Sequence, residues 1–463
     1  MSGYSTTQAA LVIALMLNKG NLIIAAVWAV PVMLWAMLLQ TSAGNLQSAS
    51  LLLAVGSITI TAANWHAHRG GRNPSFIFLV LGCIFLAGRA FPVLFGGDSQ
   101  IARIEFENVF DINADTVIAF VPLVLASFFF VHIGSLLPRV SGPKLRLSTV
   151  DARIYLGIFI ALLPVYLYKN LYYFNYMMAH GGYLAIYQGT EHLEGIGTLV
   201  RLGALLCLAA FTLYFFHEAD RKKSRWALMF FVVVFASELL VGLRGKFFVV
   251  ALVFFLFYKL RFGGKFSARG LLAILFAVIV IAVVVEIARE QKGAGSMLYL
   301  LVMFLTQQGV TAGVNLVVME NLPHFLPNAG SYFWHQFAVP FYSQLEVPEG
   351  WFLASDISMM VMPTAYLLGF GTGSSYLAEL LLLGGWVGVC VGSLAIGWLL
   401  SILRRFNQGV SGALMFWVVS GIVYYPRTML HDPVHNLMRY GGPILLLAVI
   451  CWLLRRTKLK NRR

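Results

Sequence analysis

Apolar stretches of up to about 20 residues, separated by short polar segments, recur along the whole chain. A helix needs about 20 mostly apolar residues to cross the hydrocarbon layer of a bilayer, so this pattern predicts transmembrane helices. No internal repeat and no polar linker divides the chain, which favours a single transmembrane domain over residues 1–463. The expected fold class is all-α, a polytopic membrane protein. We predict twelve spans, at residues 22–39, 47–63, 75–95, 116–136, 154–174, 198–216, 226–242, 247–260, 271–288, 376–402, 410–425 and 442–454.

Composition agrees with this class. Of the 463 residues, 59% are hydrophobic and only 11% are charged, whereas a soluble protein has roughly 25% charged residues. The early apolar run at 9–17 is too short to span and has neither a basic residue before it nor a small-residue cleavage site, so we do not expect a signal peptide. The four cysteines all lie in apolar runs and are expected to pack rather than to bind metal.

The basic residues alternate between successive loops. Residue Lys19 and the segments 64–74, 137–153, 217–225, 259–270, 403–408 and 455–463 together hold 23 of the 33 Lys and Arg residues. The positive-inside rule places this side, with both termini, in the cytoplasm. The net charge of +14 is then mainly a topology signal and gives no reason to expect a nucleic-acid partner.

One long apolar segment, 296–319, does not fit the alternation. Its polar residues Gln307, Gln308, Thr311 and Asn315 recur at helical spacing, and no Lys or Arg follows between 320 and 357. We therefore predict that residues 289–375 form one large periplasmic loop with interfacial helices within it.

Ten basic residues remain outside or in the membrane. Each could reach lipid phosphate with its charged end, but three or more at one face favour an external anionic ligand. Arginine binds phosphate oxygens through a bidentate fork while it stays charged. The ten residues are Arg89, Arg103, Lys169, Arg201, Arg244, Lys246, Arg289, Lys292, Arg427 and Arg439.

The segment 369–379 combines glycines, two serines and an acid. A glycine-rich turn that enters a helix offers backbone N–H groups to an anion, and serine can cap the helix. The helix is expected to continue without a break to about residue 402, a length of roughly 40 Å. Its first turns would protrude from the hydrocarbon and place Glu379 at the external interface, either as a helix-dipole or salt-bridge residue or as a general base.

Further candidate chemistry lies in the last external loop and in the large loop. His431, His435 and Arg439 are close in sequence, and the two histidines have no third ligand at a fixed spacing, so no metal site is predicted. His335, in an aromatic patch, could bind sugar or act as an interfacial anchor. Buried Glu238 is either functional or a structural partner of Arg244. No nucleotide or cofactor motif is present, so an enzyme here would need a substrate that is already activated.

The second half of the chain resembles the Wzy-type polymerases of bacterial inner membranes, which join O-antigen or related repeat units carried on undecaprenyl diphosphate. The resemblance covers roughly residues 226–460. It depends on Gly-x-Arg-Gly at 242–245, Arg289 at the start of a large loop, Gly-x-Gly-Ser-Ser-Tyr-x-x-Glu at 371–379, Leu-Gly-Gly at 383–385 and Tyr-x-Arg at 425–427.

The resemblance implies a GT-C-like, metal-independent transfer with inversion at the anomeric carbon, without a cofactor. The implied substrates are undecaprenyl-diphosphate-linked oligosaccharides within membrane lipids, and a chain-length regulator protein is the implied partner. Fixed cations would stabilise the leaving diphosphate. We assign Arg244, Arg289 and Arg427 to this clamp with Lys246 and Arg439 in support, Glu379 as first choice of base with His431 or His435 second, and Ser374, Ser375, Tyr376 and His335 to substrate binding.

Two other functions share parts of this pattern. A ligase that moves finished glycan onto a lipid A core would also use arginines and a large loop. A polysaccharide-lipid transporter or flippase would instead place charged residues along a path at the membrane midplane.

Overall fold

The fold is a bundle of helices. The computed structural model describes residues 46–68, 70–107, 109–137, 152–180, 197–241, 244–263, 297–337, 348–368 and 371–460. In this part of the chain the regular elements are helical, apart from one antiparallel pair of three-residue strands, β1 (Arg103–Glu105) and β2 (Val109–Asp111).

The helices are numbered in chain order. The first eight are α1 (Leu46–Ala67), α2 (Pro74–Leu86), α3 (Ala114–Leu136), α4 (Ala152–Ala179), α5 (Thr198–His217), α6 (Arg221–Phe235), α7 (Ser237–Leu240) and α8 (Arg244–Phe262). The others are α9 (Met297–Gln308), α10 (Val310–Glu320), α11 (Leu322–Phe325), α12 (Ala329–His335), α13 (Leu353–Val361), α14 (Pro363–Leu367), α15 (Tyr376–Leu403), α16 (Gly409–Tyr424) and α17 (Asp432–Lys460). Short 3₁₀ helices occupy Gly88–Phe95, Leu326–Asn328 and Tyr425–Arg427.

Seven of the described helices are long and apolar enough to cross a membrane, namely α1, α3, α4, α5, α15, α16 and α17. The number rises to nine if two bent pairs each count as one span: α2 with Gly88–Phe95, bent by 75°, and Val302–Gln308 with α10, bent by 41°. A polytopic helical membrane protein is thereby confirmed, whereas the count of twelve spans stays a prediction. Predicted spans 22–39 and 271–288 lie outside the described residues, and 226–242 and 247–260 fall in α6 to α8.

The second bent pair corresponds to the segment with the polar stripe. Thr311 and Asn315 are buried in protein, and the Asn315 side chain donates to the Thr311 carbonyl at 2.7 Å. A polar stripe that is buried in this way is compatible with a broken span or a re-entrant loop as well as with an interfacial helix. The position of residues 289–375 relative to the bilayer therefore stays a prediction.

The described parts of the basic loops lie at one end of the bundle, the basic end. Arg404 donates to the carbonyl of Arg72 at 3.1 Å, and Arg261 donates to the carbonyls of Phe215 and Glu218. These contacts join loops that the charge pattern assigns to the same side of the membrane. A buried hydrogen bond between Asn64 and His132, 3.1 Å long, ties α1 to α3 at this end as well.

Helices α3 and α15 pack backbone to backbone through small residues. A β-carbon at Gly134 would overlap the carbonyl of Leu394, and one at Gly397 would overlap the carbonyl of Val131. Small residues let helices approach this closely, which is the usual way that membrane helices associate. The contact fixes the second part of α15 against α3.

Helix α15 is broken, which corrects the predicted continuous helix. Gly384 and Gly385 have non-helical backbone angles, and Gly385 has φ +55° and ψ −145°, a conformation that L-residues rarely adopt. Along an unbroken helix Tyr376 and Ser393 would lie about 25 Å apart. Instead, both their hydroxyls bond to the Ser127 hydroxyl, at 2.6 and 2.7 Å.

The short first half of α15 therefore folds back on the second. A β-carbon at Gly388 would overlap the carbonyl of Leu380, and one at Gly392 would lie 2.5 Å from the Leu380 side chain. The segment Tyr376–Leu383 is thus a short helix held inside the bundle, and it does not protrude from the membrane as the first turns of a long helix.

We predict that Gly385→Ala lowers the stability of the detergent-solubilised protein by roughly 1 to 3 kcal/mol, because alanine is strained at this backbone conformation. The measurement is the midpoint of thermal unfolding. Gly157→Ala is the matched control, since Gly157 lies within α4 with no atom near the position of its β-carbon. Equal midpoints for the two variants would contradict the break.

Candidate active site

The glycine turn, residues 371–375, positions the start of α15. Gly373 has φ +75°, and the Ser358 hydroxyl on α13 accepts the Thr372 N–H at 3.0 Å. The Ser375 hydroxyl then caps the helix by accepting the Leu377 N–H at 3.3 Å. Sequence and structure agree that a glycine turn leads into a serine-capped helix here.

Two predicted substrate-binding residues are engaged inside the protein. Ser375 is fully buried as the helix cap, and Tyr376 is fully buried with its hydroxyl on Ser127. Both residues hold the short helix in place, and their contact with substrate stays a prediction. Ser374, which is also buried, lies beside the carboxylate of Glu379.

Glu379 lies inside the protein and not at an exposed interface. Its side chain is 3% exposed, and Oε2 accepts the Leu430 N–H at 2.9 Å and the Gln336 Nε2 at 3.1 Å. The other oxygen, Oε1, is buried without a hydrogen bond of ordinary geometry among the described residues. The carboxylate therefore joins three distant segments: the short helix, the end of α12 and the loop before α17.

The same network reaches a histidine. The Gln336 Oε1 lies 3.3 Å from Nδ1 of His431, and both residues are buried. Burial, with a smaller contribution from His435, lowers the pKa of His431 to about 4. The imidazole of His431 is therefore neutral at physiological pH, a state in which it can accept a proton. The ring of His435 lies 6.4 Å from that of His431.

Arg427 follows in the same loop and is held by neutral groups. Its Nη1 donates to Gln308 Oε1 at 2.8 Å, and its guanidinium lies 5.3 Å from the centre of the Phe85 ring. It is half-buried, and among the described residues it forms no ion pair. A partly desolvated guanidinium with neutral partners keeps its charge available for an anion.

A second arginine lies close to the same helix end. Arg89 is 7% exposed, and its Nε donates to the Thr306 carbonyl at 3.4 Å. Gly309 allows this approach, because a β-carbon there would lie 2.7 Å from the backbone nitrogen of Arg89 and 2.8 Å from its side-chain Cγ. Thr306 and Gln308 both lie at the C-terminal end of α9. Arg89 and Arg427 therefore both bond to the last turn of this helix.

Lys246 belongs to a different cluster. Glu238 is 1% exposed, and its carboxylate lies 3.5 Å from Lys169 Nζ, 4.0 Å from Lys246 Nζ and 2.8 Å from the Tyr166 hydroxyl. The expected partner of Glu238 was Arg244, whose side chain lies outside the described part of the structure. The observed partners are two lysines, which share the single negative charge of Glu238.

The remaining predicted residues are placed as follows. Arg439 is exposed on α17, with its guanidinium 5.6 Å from the centre of the Tyr440 ring. His335 stacks on Trp351 with ring centres 4.1 Å apart and bonds to Ser331, and neither partner belongs to the Glu379 network. Arg289 lies outside the described residues. Among the described residues no group of three His, Cys, Asp or Glu side chains is arranged to hold a metal ion.

A comparison with known protein families shows which family the chain belongs to. The sequence pattern of the O-antigen polysaccharide polymerase Wzy family matches residues 22–462. The chain belongs to this family. No curated protein and no solved structure matches the chain. The match extends the resemblance from the second half to nearly the whole chain, and the Wzy family acts in the membrane as glycosyltransferase-type polymerases on lipid-linked oligosaccharide repeat units.

For this Wzy-family protein, sequence reasoning did not find two glutamines that complete the site. Gln336 was part of an aromatic patch and Gln308 part of a polar stripe, and neither forms a motif. The available signal was chemical: a glutamine within a mainly apolar stretch of sequence needs polar partners once it is buried. Their partners, Glu379, His431 and Arg427, are remote in sequence.

We predict that Glu238→Gln lowers the thermal midpoint, by the equivalent of roughly 3 kcal/mol, because it leaves Lys169 and Lys246 without their counter-charge. The double variant Glu238→Gln/Lys169→Met should recover part of the loss, since one unpaired charge is removed with its partner. Exposed Glu349→Gln serves as the control. Additive effects in the double variant would show that the cluster is not coupled.

Proposed function

We propose that this protein transfers a growing glycan from undecaprenyl diphosphate to a sugar hydroxyl of a new lipid-linked repeat unit. In this proposal the protein lies in the bacterial inner membrane with both termini in the cytoplasm, and its active site faces the periplasm. Two observations support this orientation. The described basic loops contact one another at the basic end of the bundle, and Arg427 and Glu379 lie toward the opposite end.

The observation that carries the proposal is that one short loop holds both Arg427, whose partners are neutral groups, and His431, which belongs to a buried acid–amide–histidine network. When the bond from the anomeric carbon to the diphosphate breaks, negative charge grows on the leaving group. A fixed guanidinium in a water-poor site stabilises that charge in the transition state. Arg427 is placed to do so, and Arg244 and Arg289 complete the proposed clamp, with Arg439 and Lys246 in support.

A single displacement by the acceptor hydroxyl gives inversion at the anomeric carbon. The hydroxyl must lose its proton as it attacks, so a base has to lie within hydrogen-bond reach of it. Glu379, His431 and His435 are the proposed candidates, with Ser374 and His335 as candidate contacts to sugar. Arginines can supply the positive charge that a metal supplies in other transferases, so the mechanism does not require a metal.

The wider organisation is part of the same proposal. Residues 1–463 would form one GT-C-like transmembrane domain with a periplasmic loop at 289–375, and a chain-length regulator protein would set the size of the product. Within 289–375, the start of α14 is fixed by Glu107. Its carboxylate accepts hydrogen bonds from the N–H groups of Thr364 and Ala365 at 2.9 and 2.7 Å.

We predict that Arg427→Ala reduces polymerisation by about 10²- to 10³-fold through loss of transition-state stabilisation. In cells that lack another polymerase, the final glycolipid should then carry mainly single repeat units, while the amount of protein in the membrane stays at the wild-type level. Arg221→Ala removes an exposed arginine at the basic end and is the matched control. Normal chain length in the Arg427 variant would contradict the clamp.

The same experiment separates the other two functions. Loss of a ligase would leave long chains on the lipid carrier, and loss of a transporter would leave repeat units unprocessed on the cytoplasmic side. Either pattern in the Arg427 variant would overturn the proposed polymerase activity.

A further inference from the structure

We infer that Gln336 is a positioning residue that fixes the tautomer of His431, so that Nε2 of His431 is the general base of the polymerase. The inference rests on the proposed function and refines it: Glu379, the first choice of base from sequence, becomes the group that orients Gln336.

The first step concerns the orientation of the amide. The Glu379 Oε2 accepts the Leu430 N–H at 2.9 Å, so this oxygen is an acceptor. The atom of Gln336 that faces it at 3.1 Å must then be the NH₂ donor. The orientation of the Gln336 amide is fixed by the carboxylate, and its carbonyl oxygen necessarily points the other way, toward His431.

The second step concerns the imidazole. The Gln336 Oε1 can only accept, and it lies 3.3 Å from Nδ1 of His431, so Nδ1 carries the hydrogen. The neutral ring then has its lone pair on Nε2. Among the described residues Nε2 has no hydrogen-bond partner, in contrast to Oε2 of Glu379, which already accepts two. The other oxygen of Glu379, Oε1, is unpaired but fully buried, and the tautomer leaves His431 with a free lone pair on Nε2.

Burial keeps the ring neutral before the reaction. His431 is 5% exposed, and the groups that face it are His435 on α17, Asp432 at the start of α17 and Glu379 across Gln336. Arg439 faces His435 and disfavours a second positive charge there. The low pKa of His431, about 4, keeps Nε2 unprotonated over the physiological range.

The reaction step balances with this assignment. The acceptor hydroxyl oxygen forms a bond to the anomeric carbon as the bond from that carbon to the diphosphate oxygen breaks. The hydroxyl proton moves to Nε2 of His431, and undecaprenyl diphosphate leaves with the electron pair. The imidazolium that forms donates Nδ1–H to Gln336, whose amide is in turn held by the carboxyl group of Glu379.

The kinetic test compares purified wild-type protein with Gln336→Met and Gln336→Glu on a lipid-diphosphate-linked repeat unit. Gln336→Met is similar in size but cannot bond, so kcat should fall by about 10-fold or more, yet less than the 10²- to 10⁴-fold expected for loss of a base. KM should change less than twofold. Asn315→Leu, which removes a buried amide that bonds to the Thr311 carbonyl within its own helix α10, should leave both constants unchanged.

The pH profile gives a readout that general destabilisation would not move. The base works while His431 is neutral, so wild-type kcat/KM should stay high as pH falls until it approaches the pKa of about 4. A carboxylate at position 336 favours the imidazolium and raises that pKa, so Gln336→Glu should lose activity at a pH at least one unit higher. An unchanged profile and unchanged kcat in both variants would overturn the inference, as would a change in KM alone.

A spectroscopic test does not depend on activity. Nitrogen-15 NMR of histidine-labelled protein in lipid, with the His431 signal assigned by its loss in His431→Gln, should show protonated Nδ1 and unprotonated Nε2. The reverse tautomer would overturn the inference even if the protein polymerises. The expected tautomer in a protein that makes no polymer would instead count against the proposed function alone.

Discussion

The carboxylate of Glu379 imposes the constraint on which the candidate site depends. An acid that is 3% exposed inside an apolar protein must be given hydrogen-bond donors, and here they come from the backbone of Leu430 and the amide of Gln336. Because these donors belong to distant segments, the loop before α17 and the end of α12 are both fixed against the short helix that carries Glu379. His431 and Arg427 take their positions in the same short loop.

The short helix is itself a product of the Gly384–Gly385 break. Without it the start of α15 would run outward, and Tyr376 could not reach Ser127 beside Ser393. The fold therefore builds a polar site in a membrane protein by turning a few helical residues back into the bundle, where side chains and backbone N–H groups satisfy one another. The cost of desolvation is met by hydrogen bonds instead of by water.

Sequence reasoning was most reliable where one physical effect dominates. Hydrophobic length placed a span at 116–136, where the structure has Ala114–Leu136, and the alternation of Lys and Arg grouped loops that Arg404 and Arg261 join in space. It failed at Gly385, because two glycines within an apolar run look like continuous helix by composition. It also missed Gln336, because the role of this residue depends on its hydrogen bonds to Glu379 and His431, which lie 43 and 95 positions further along the chain.

The account is tested most directly by incubation of purified protein with a lipid-diphosphate-linked repeat unit, without nucleotide, followed by separation of the products by size. We predict a ladder of lipid-linked chains that increase by one repeat unit at a time, with one free lipid diphosphate released for each bond formed. Absence of any product longer than the supplied unit, from protein that is folded and inserted in lipid, would contradict the central claim that this site polymerises lipid-linked glycans.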